Sequence, residues 1–256
     1  MTLAGCRSDT VRVAFRPHVG SQYHYEVVVR TVTTIRLGGA APERTVDQAR
    51  LETDQTVLSA DATGIRVAVE LRRPGSAPRH FVVRFDRAAQ LTAVESIEGL
   101  PTSVLGPLGI AEIFPAAAGA PPDRPLSAGE RWSIDDRLRL PGSSASRLRG
   151  AGHLVELGLL GGRKVASIGS ETRLPVSTVS QLRGGQLTLA GVEITDSSAT
   201  RELADGAVAR ASSTTRGTFA VTLVSSTAGG SPVGGTMDLE VTSTTRRIGG
   251  SGVATS

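Results

Sequence analysis

The chain has 256 residues, 39% hydrophobic, 20% charged and only 3% aromatic, with a formal net charge of +4. This is an ordinary soluble globular composition; the small net charge and many β-branched residues exclude intrinsic disorder. No run of about 18 apolar residues is free of charge, which excludes a multi-pass helical membrane protein, and the few rings argue against sugar-stacking or single-strand nucleic-acid platforms. Of the 28 basic residues, all but Lys164 are arginine. They are interleaved with acids, as in Arg50-Leu51-Glu52 and Asp135-Asp136-Arg137, so no phosphate-tracking stripe forms and nucleic acid is not an expected partner. The absence of asparagine and the excess of Ala, Gly, Arg, Thr and Val match a high-GC bacterial genome. The length fits one large all-β domain or two of about 100–150 residues.

The first feature along the chain is Cys6, the only cysteine, so no intramolecular disulfide can form. Its setting, Leu3-Ala4-Gly5-Cys6, resembles the lipobox of bacterial lipoproteins. There an aliphatic residue and two small residues precede the thiol that receives a diacylglyceryl group and becomes the mature N-terminus. The polar Arg7-Ser8-Asp9-Thr10 suits a short surface tether. Only Met1-Thr2 precede the motif, whereas a secretory leader needs a basic region and an apolar stretch. Lipidation of Cys6 and a place in the bacterial cell envelope, facing the periplasm or the exterior, are the expectation.

From residue 11 onward, period-2 alternation dominates. Tyr23, Tyr25, Val27 and Val29 share one face against His24, Glu26, Val28 and Arg30. The same pattern recurs at Ile65/Val67/Val69/Leu71, Phe81/Val83/Phe85, Phe219/Val221/Leu223 and Met237/Leu239/Val241. Turn signals separate these runs at Gly38-Gly39, Asp61-Ala62-Thr63-Gly64, Pro74-Gly75, Gly161-Gly162, Gly184-Gly185, Asp205-Gly206 and Gly229-Gly230. The pattern predicts half-buried antiparallel strands with one packed face. The exception is a cluster of Val104, Leu105, Leu108, Ile110, Ile113 and Phe114, followed by a Pro/Ala-rich stretch. It predicts one short helix near 103–114 and a stiff connection packed over a sheet face.

Gly20-Ser21-Gln22-Tyr23-His24-Tyr25 and Gly129-Glu130-Arg131-Trp132-Ser133-Ile134 share a Gly-x-x-aromatic-x-apolar pattern at a strand start. The expected fold is therefore all-β with one short helix: two similar curved antiparallel sheets. The expected organisation is a lipobox and tether over 1–10, an N-terminal half over 11–102 and a helix and connection over 103–127. A C-terminal half over 128–249 and a flexible tail over 250–256 complete it.

These residues carry a resemblance. Gly20, Tyr23 and Tyr25, then Phe114-Pro115, Pro125, Gly129 and Trp132, resemble the pattern of a family of bacterial β-rich lipoproteins with no assigned activity. The likeness spans most of residues 11–250 and implies a secreted, lipid-anchored, β-rich protein. More distantly, two curved halves are similar to the half-barrels of lipoprotein carriers, which shelter acyl chains beneath a helical lid.

Candidate chemistry is sparse. Neither Gly229-Gly230-Ser231-Pro232 nor Gly250-Ser251-Gly252 makes a nucleophile elbow. Position 161 is glycine, so Lys164 lacks the serine of a Ser-x-x-Lys pair. His18, His24, His80 and His153 show no metal-helix spacing and read as surface or hydrogen-bonded strand residues. Asp135 and Asp136 are neighbours on a strand and point to opposite faces. Gly158-Leu159-Leu160-Gly161-Gly162 reads as a hairpin, and Trp132 as a core residue. No catalytic residue, metal site or cofactor is expected. The expected function is non-enzymatic: binding of a lipid or other apolar small molecule on a curved sheet, with a membrane anchor. The alternatives are a purely structural lipoprotein contacting envelope proteins and, behind both, a hydrolase.

Overall fold

A computed structural model describes residues 10–87, 91–97, 121–138, 146–182, 184–225 and 231–250. The expected helix near 103–114, the lipobox with Cys6 and the tail lie outside the described residues. Eleven strands follow one another in the chain: β1 Gln22–Leu37, β2 Glu43–Asp61, β3 Gly64–Arg72, β4 Arg79–Phe85, β5 Leu91–Ile97, β6 Arg131–Leu138, β7 Ser146–Leu160, β8 Arg163–Leu182, β9 Gly185–Glu202, β10 Val208–Ser225 and β11 Val233–Gly249. All belong to one antiparallel sheet in the order β5-β4-β3-β2-β1-β11-β10-β9-β8-β7-β6. Strands adjacent in sequence are paired, apart from β5 and β6, which form the two edges, and β1 also pairs with β11. The two arms of the chain are thus one continuous sheet joined at that ladder.

The sheet is strongly curled. Ten strand spacings separate β5 from β6, about 48 Å if the sheet were flat, yet their Cα atoms come within 8 Å. No ladder joins these edges among the described residues, so the barrel stays open. Side chains agree: Arg201 on β9 feels the charge of Asp86, just past β4, six spacings away along the sheet.

Alternation decides which side faces in. Tyr23, Tyr25 and Val27 on β1, Val67 and Val69 on β3, Phe81 and Val83 on β4, and Leu239 and Val241 on β11 are all buried. The intervening polar residues face out and are tied by cross-strand ion pairs, such as Arg66 with Glu95 at 2.8 Å and Arg72 with Asp54 at 2.5 Å. One end of the barrel is sealed. Residues 11–17 cross it, with Val11 bridging Leu126 through N–H···O bonds of 2.9 and 2.8 Å. The Phe15 amide then donates to Arg87 and that of Arg16 to Asp205. The Phe15 ring lies 5.9 Å from the Tyr23 ring and edge-on to Phe85 at 6.5 Å, a geometry that adds to its burial. Val13, Leu126 and Trp132 fill the β6–β9 side of the same floor. Gly152 makes room for the indole: a methyl group there would sit 2.5 Å from Trp132 Cζ2.

The two Gly-x-x-aromatic segments adopt the same local structure. The amide of Gly20 (φ +82°) donates to Val57, while the Val57 amide donates to Ser21 and the Ser21 amide to His18. Gly129 (φ +77°) repeats this with Leu154, Glu130 and Ser127. In each case the partner strand is irregular just beyond the contact, between Val57 and Ser59 and between Leu154 and Glu156. A positive φ is needed to turn the chain into the strand at that point, and glycine adopts it without steric cost.

The walls differ in height. β1, β2 and β7 to β11 are 15 to 20 residues long, whereas β3 to β6 have only 7 to 9. Because β2 pairs with β3 only from Glu52 onward, Glu43 to Leu51 and the neighbouring strands rise beyond the short wall. At 3.3 Å per residue this overhang is about 30 Å tall.

Candidate ligand-binding interior

Strand register stacks the inward side chains into rows. Above the sealed floor, Ser243, Ser213, Ser197 and Ser170 stand opposite one another on β11, β10, β9 and β8. Ser213 and Ser243 are hydrogen-bonded at 2.9 Å, Ser170 and Ser197 at 2.7 Å. The next row up aligns Thr215, Thr195 and Thr172, with Thr195 and Thr215 bonded at 2.8 Å. A hydroxyl has one donor and two acceptor positions, so each pair keeps a donor and several lone pairs for a third group. Buried Thr53 Oγ1, Gln55 Nε2 and Trp132 Nε1 also have no hydrogen-bond partner among the described residues. All three side chains belong to the inward face.

Beyond the hydroxyl rows, the overhang carries a buried apolar strip: Leu174, Val176, Leu189, Phe219, Met237 and Leu239. Phe219 lies over Gly191 and Gly217, whose added methyl groups would meet the ring at 2.7 and 2.5 Å. Among the described residues, every member of this cluster is on a strand of the sheet. The two floor clusters differ, since each includes residues from the crossing segments, Phe15 in one and Val13 and Leu126 in the other.

At the floor, ionic and polar groups tie the turn between β9 and β10 to the neighbouring strands. The Tyr23 hydroxyl donates to Asp205 Oδ2 at 2.8 Å, and Asp205 Oδ1 accepts from the Ala207 amide at 2.9 Å. Burial first, and the Asp205 charge second, push the Tyr23 phenol far above its ordinary range; burial does the same to Tyr25. Arg247 stacks over the Tyr23 ring at 5.2 Å and lies 3.2 Å from Glu202, which also receives Arg163 at 2.8 Å. Arg201 is wholly buried and donates to the Gly206 carbonyl at 3.2 Å. Burial lowers its pKa to about 10, partly offset by Tyr25 and Asp86. It stays charged at neutral pH.

The remaining candidates lie outside the barrel interior. His24 is on the outer face of β1, bonded to Asp54. Asp54, Glu70 and His80 line a shallow depression of about 250 Å³. A wider one of about 530 Å³ holds Arg131, His153, Glu171 and Asp196. Asp54 is paired with Arg72 and Asp196 with Arg216 at 3.5 Å. Asp135 is paired with Arg147 and Arg149, while the side chain of Asp136 lies outside the described residues, as does Cys6. Among the described residues, no three His, Cys, Asp or Glu side chains are grouped to hold a metal. Trp132 is a floor residue and Gly161-Gly162 a hairpin turn, as expected from sequence.

The serine and threonine rows and the buried Arg201, Glu202 and Arg247 are not apparent in the sequence. Their signal is faint but real: Thr195/Ser197 and Ser213/Thr215 occupy alternate positions within long strands, on the face that carries Leu189 and Phe219 further along. The molecule is thus an open eleven-stranded antiparallel barrel, sealed at one end and overhanging at the other. No family model matches the chain, and no curated protein matches it.

Proposed function

We propose that the chain is a non-enzymatic, lipid-anchored protein of the bacterial cell envelope whose concave sheet binds an acyl chain or similar apolar ligand. The apolar strip on the overhang carries this reading, because it stands above the floor and, among the described residues, all its members are strand residues with inward side chains. The hydroxyl rows beneath it suit the ester or carboxyl end of a lipid, for which their unspent donors are a match. Apolar sites with a few polar groups that fix orientation are the common form of small-molecule pockets. The two arms, each opening on the same glycine turn, are taken as two similar halves of this container. Cys6 is the acylated residue in this reading, and the short tether holds the barrel at the membrane.

Native mass spectrometry of the protein recovered from a bacterial lipid extract tests the ligand. An acyl-lipid adduct on the parent that is absent from Ser197→Phe supports the proposal. A bare protein mass in both refutes it. The anchor has its own test in the source bacterium, where Cys6→Ser moves the protein out of the membrane fraction if Cys6 is acylated.

A further inference from the structure

Beyond Leu154 the sheet projects past its own floor. β6 pairs with β7 only as far as His153, so among the described residues Val155 to Leu160 is bound on one side alone, to β8. The hairpin closes with Leu160 opposite Arg163 across Gly161 (φ +56°) and Gly162 (φ +80°). Positive φ at both central residues matches the twist of the flanking strands and makes a short, stiff tip. That tip is apolar: Val155, Leu157 and Leu159 are 51%, 36% and 71% exposed. Val19, Leu58 and Ile248 are exposed around the same end of the barrel. Single exposed aliphatics are normal, but a stiff projection bearing three of them marks a contact surface.

The charges beside the tip indicate what it contacts. Lys164, the sole lysine, stands opposite Leu159 and makes no ion pair among the described residues. Arg163 is next to it, 60% exposed, and reaches back to Glu202. Glu156 is the only acid on the hairpin and lies at its base, near Ser167. The start of the described chain is also close by, since Val11 bridges Leu126 while Gly129 and Glu130 bond to Leu154.

We propose that this hairpin docks the sealed end of the barrel on an anionic lipid bilayer. Leu157 and Leu159 enter the boundary between headgroups and acyl chains, and Lys164 meets the phosphates. The contact is interfacial, because the free backbone edge of Val155 to Leu160 needs water that the bilayer core lacks. It requires neither acylation of Cys6 nor a bound ligand.

The test uses the full chain carrying Cys6→Ser, floated with vesicles of phosphatidylcholine alone or mixed equally with phosphatidylglycerol. The protein is expected to float with the mixed vesicles and on the order of tenfold less with the neutral ones. Leu157→Ser with Leu159→Ser should lower binding by about tenfold or more, and Lys164→Glu by several-fold, with unchanged melting and unchanged binding of palmitate. Failure to float with either vesicle overturns the proposal, as does flotation that ignores these substitutions. Sedimentation showing self-association that Leu159→Ser abolishes would also overturn it, assigning the edge to a second copy of the chain.

Discussion

The two ends of the barrel are made from the same alternating strands but resolve their inward faces differently. At the sealed end, Phe15, Val13 and Leu126 arrive from outside the sheet and complete two clusters, while Arg201, Glu202, Asp205 and Arg247 brace the turn between β9 and β10, whose Asp205 carbonyl accepts from the Arg16 amide. At the overhanging end, the described members of the apolar strip all come from the sheet and sit above rows of hydroxyls. The floor is a finished core. The overhang holds a third buried apolar cluster, and the proposed ligand site is placed against it rather than against the floor.

The largest test of this contrast is Phe15→Ala. It removes the ring that packs on both Tyr23 and Phe85 and should cost about 3–5 kcal/mol, seen as a large fall in the denaturation midpoint. Gly152→Ala forces a methyl group against Trp132 and should cost about 1–3 kcal/mol; an unchanged urea midpoint would mean that the indole does not pack there. In the hydroxyl rows, Ser213→Ala gives up the bond to Ser243. Its stability loss should be about 0.5–1.5 kcal/mol, while affinity for a polar-headed lipid falls, so calorimetry with palmitate and with a plain alkane should separate the two effects.

The smallest effect belongs to the outer face. Arg66, with help from Arg84, holds the Glu95 carboxyl below its usual range. A carboxylate with a depressed folded pKa contributes stability that is complete above the ordinary glutamate range and is lost as pH falls through the folded value. Glu95→Gln should therefore be slightly less stable than the parent at neutral pH, with the gap closing in acid. Parallel stability curves down to low pH would contradict the pairing.

The faces of the strands could be read from sequence because alternation assigns them locally: Tyr23, Tyr25, Val27 and the even-numbered residues between them fall on the predicted sides. The Gly-x-x-aromatic segments were also legible, since a glycine with positive φ followed by a ring is a local feature. Curl and register were not. Four serines spread from 170 to 243 become one row only after four strands pair, and no local pattern encodes that pairing. Nothing in the local sequence marks Arg201 and Glu202 as inward, yet both are buried beside the Asp205–Ala207 turn. Sequence alternation likewise could not reveal that β3 to β6 stop short of the strands beside them.

The most direct measurement is a titration of the full chain carrying Cys6→Ser with an environment-sensitive fluorescent fatty acid. The expected result is saturable binding that unlabelled palmitate displaces, that Ser197→Phe abolishes while leaving the melting temperature close to the parent's, and that hairpin substitutions leave intact. Emission that rises without saturation, or binding that Ser197→Phe does not affect, would contradict a ligand on the concave sheet.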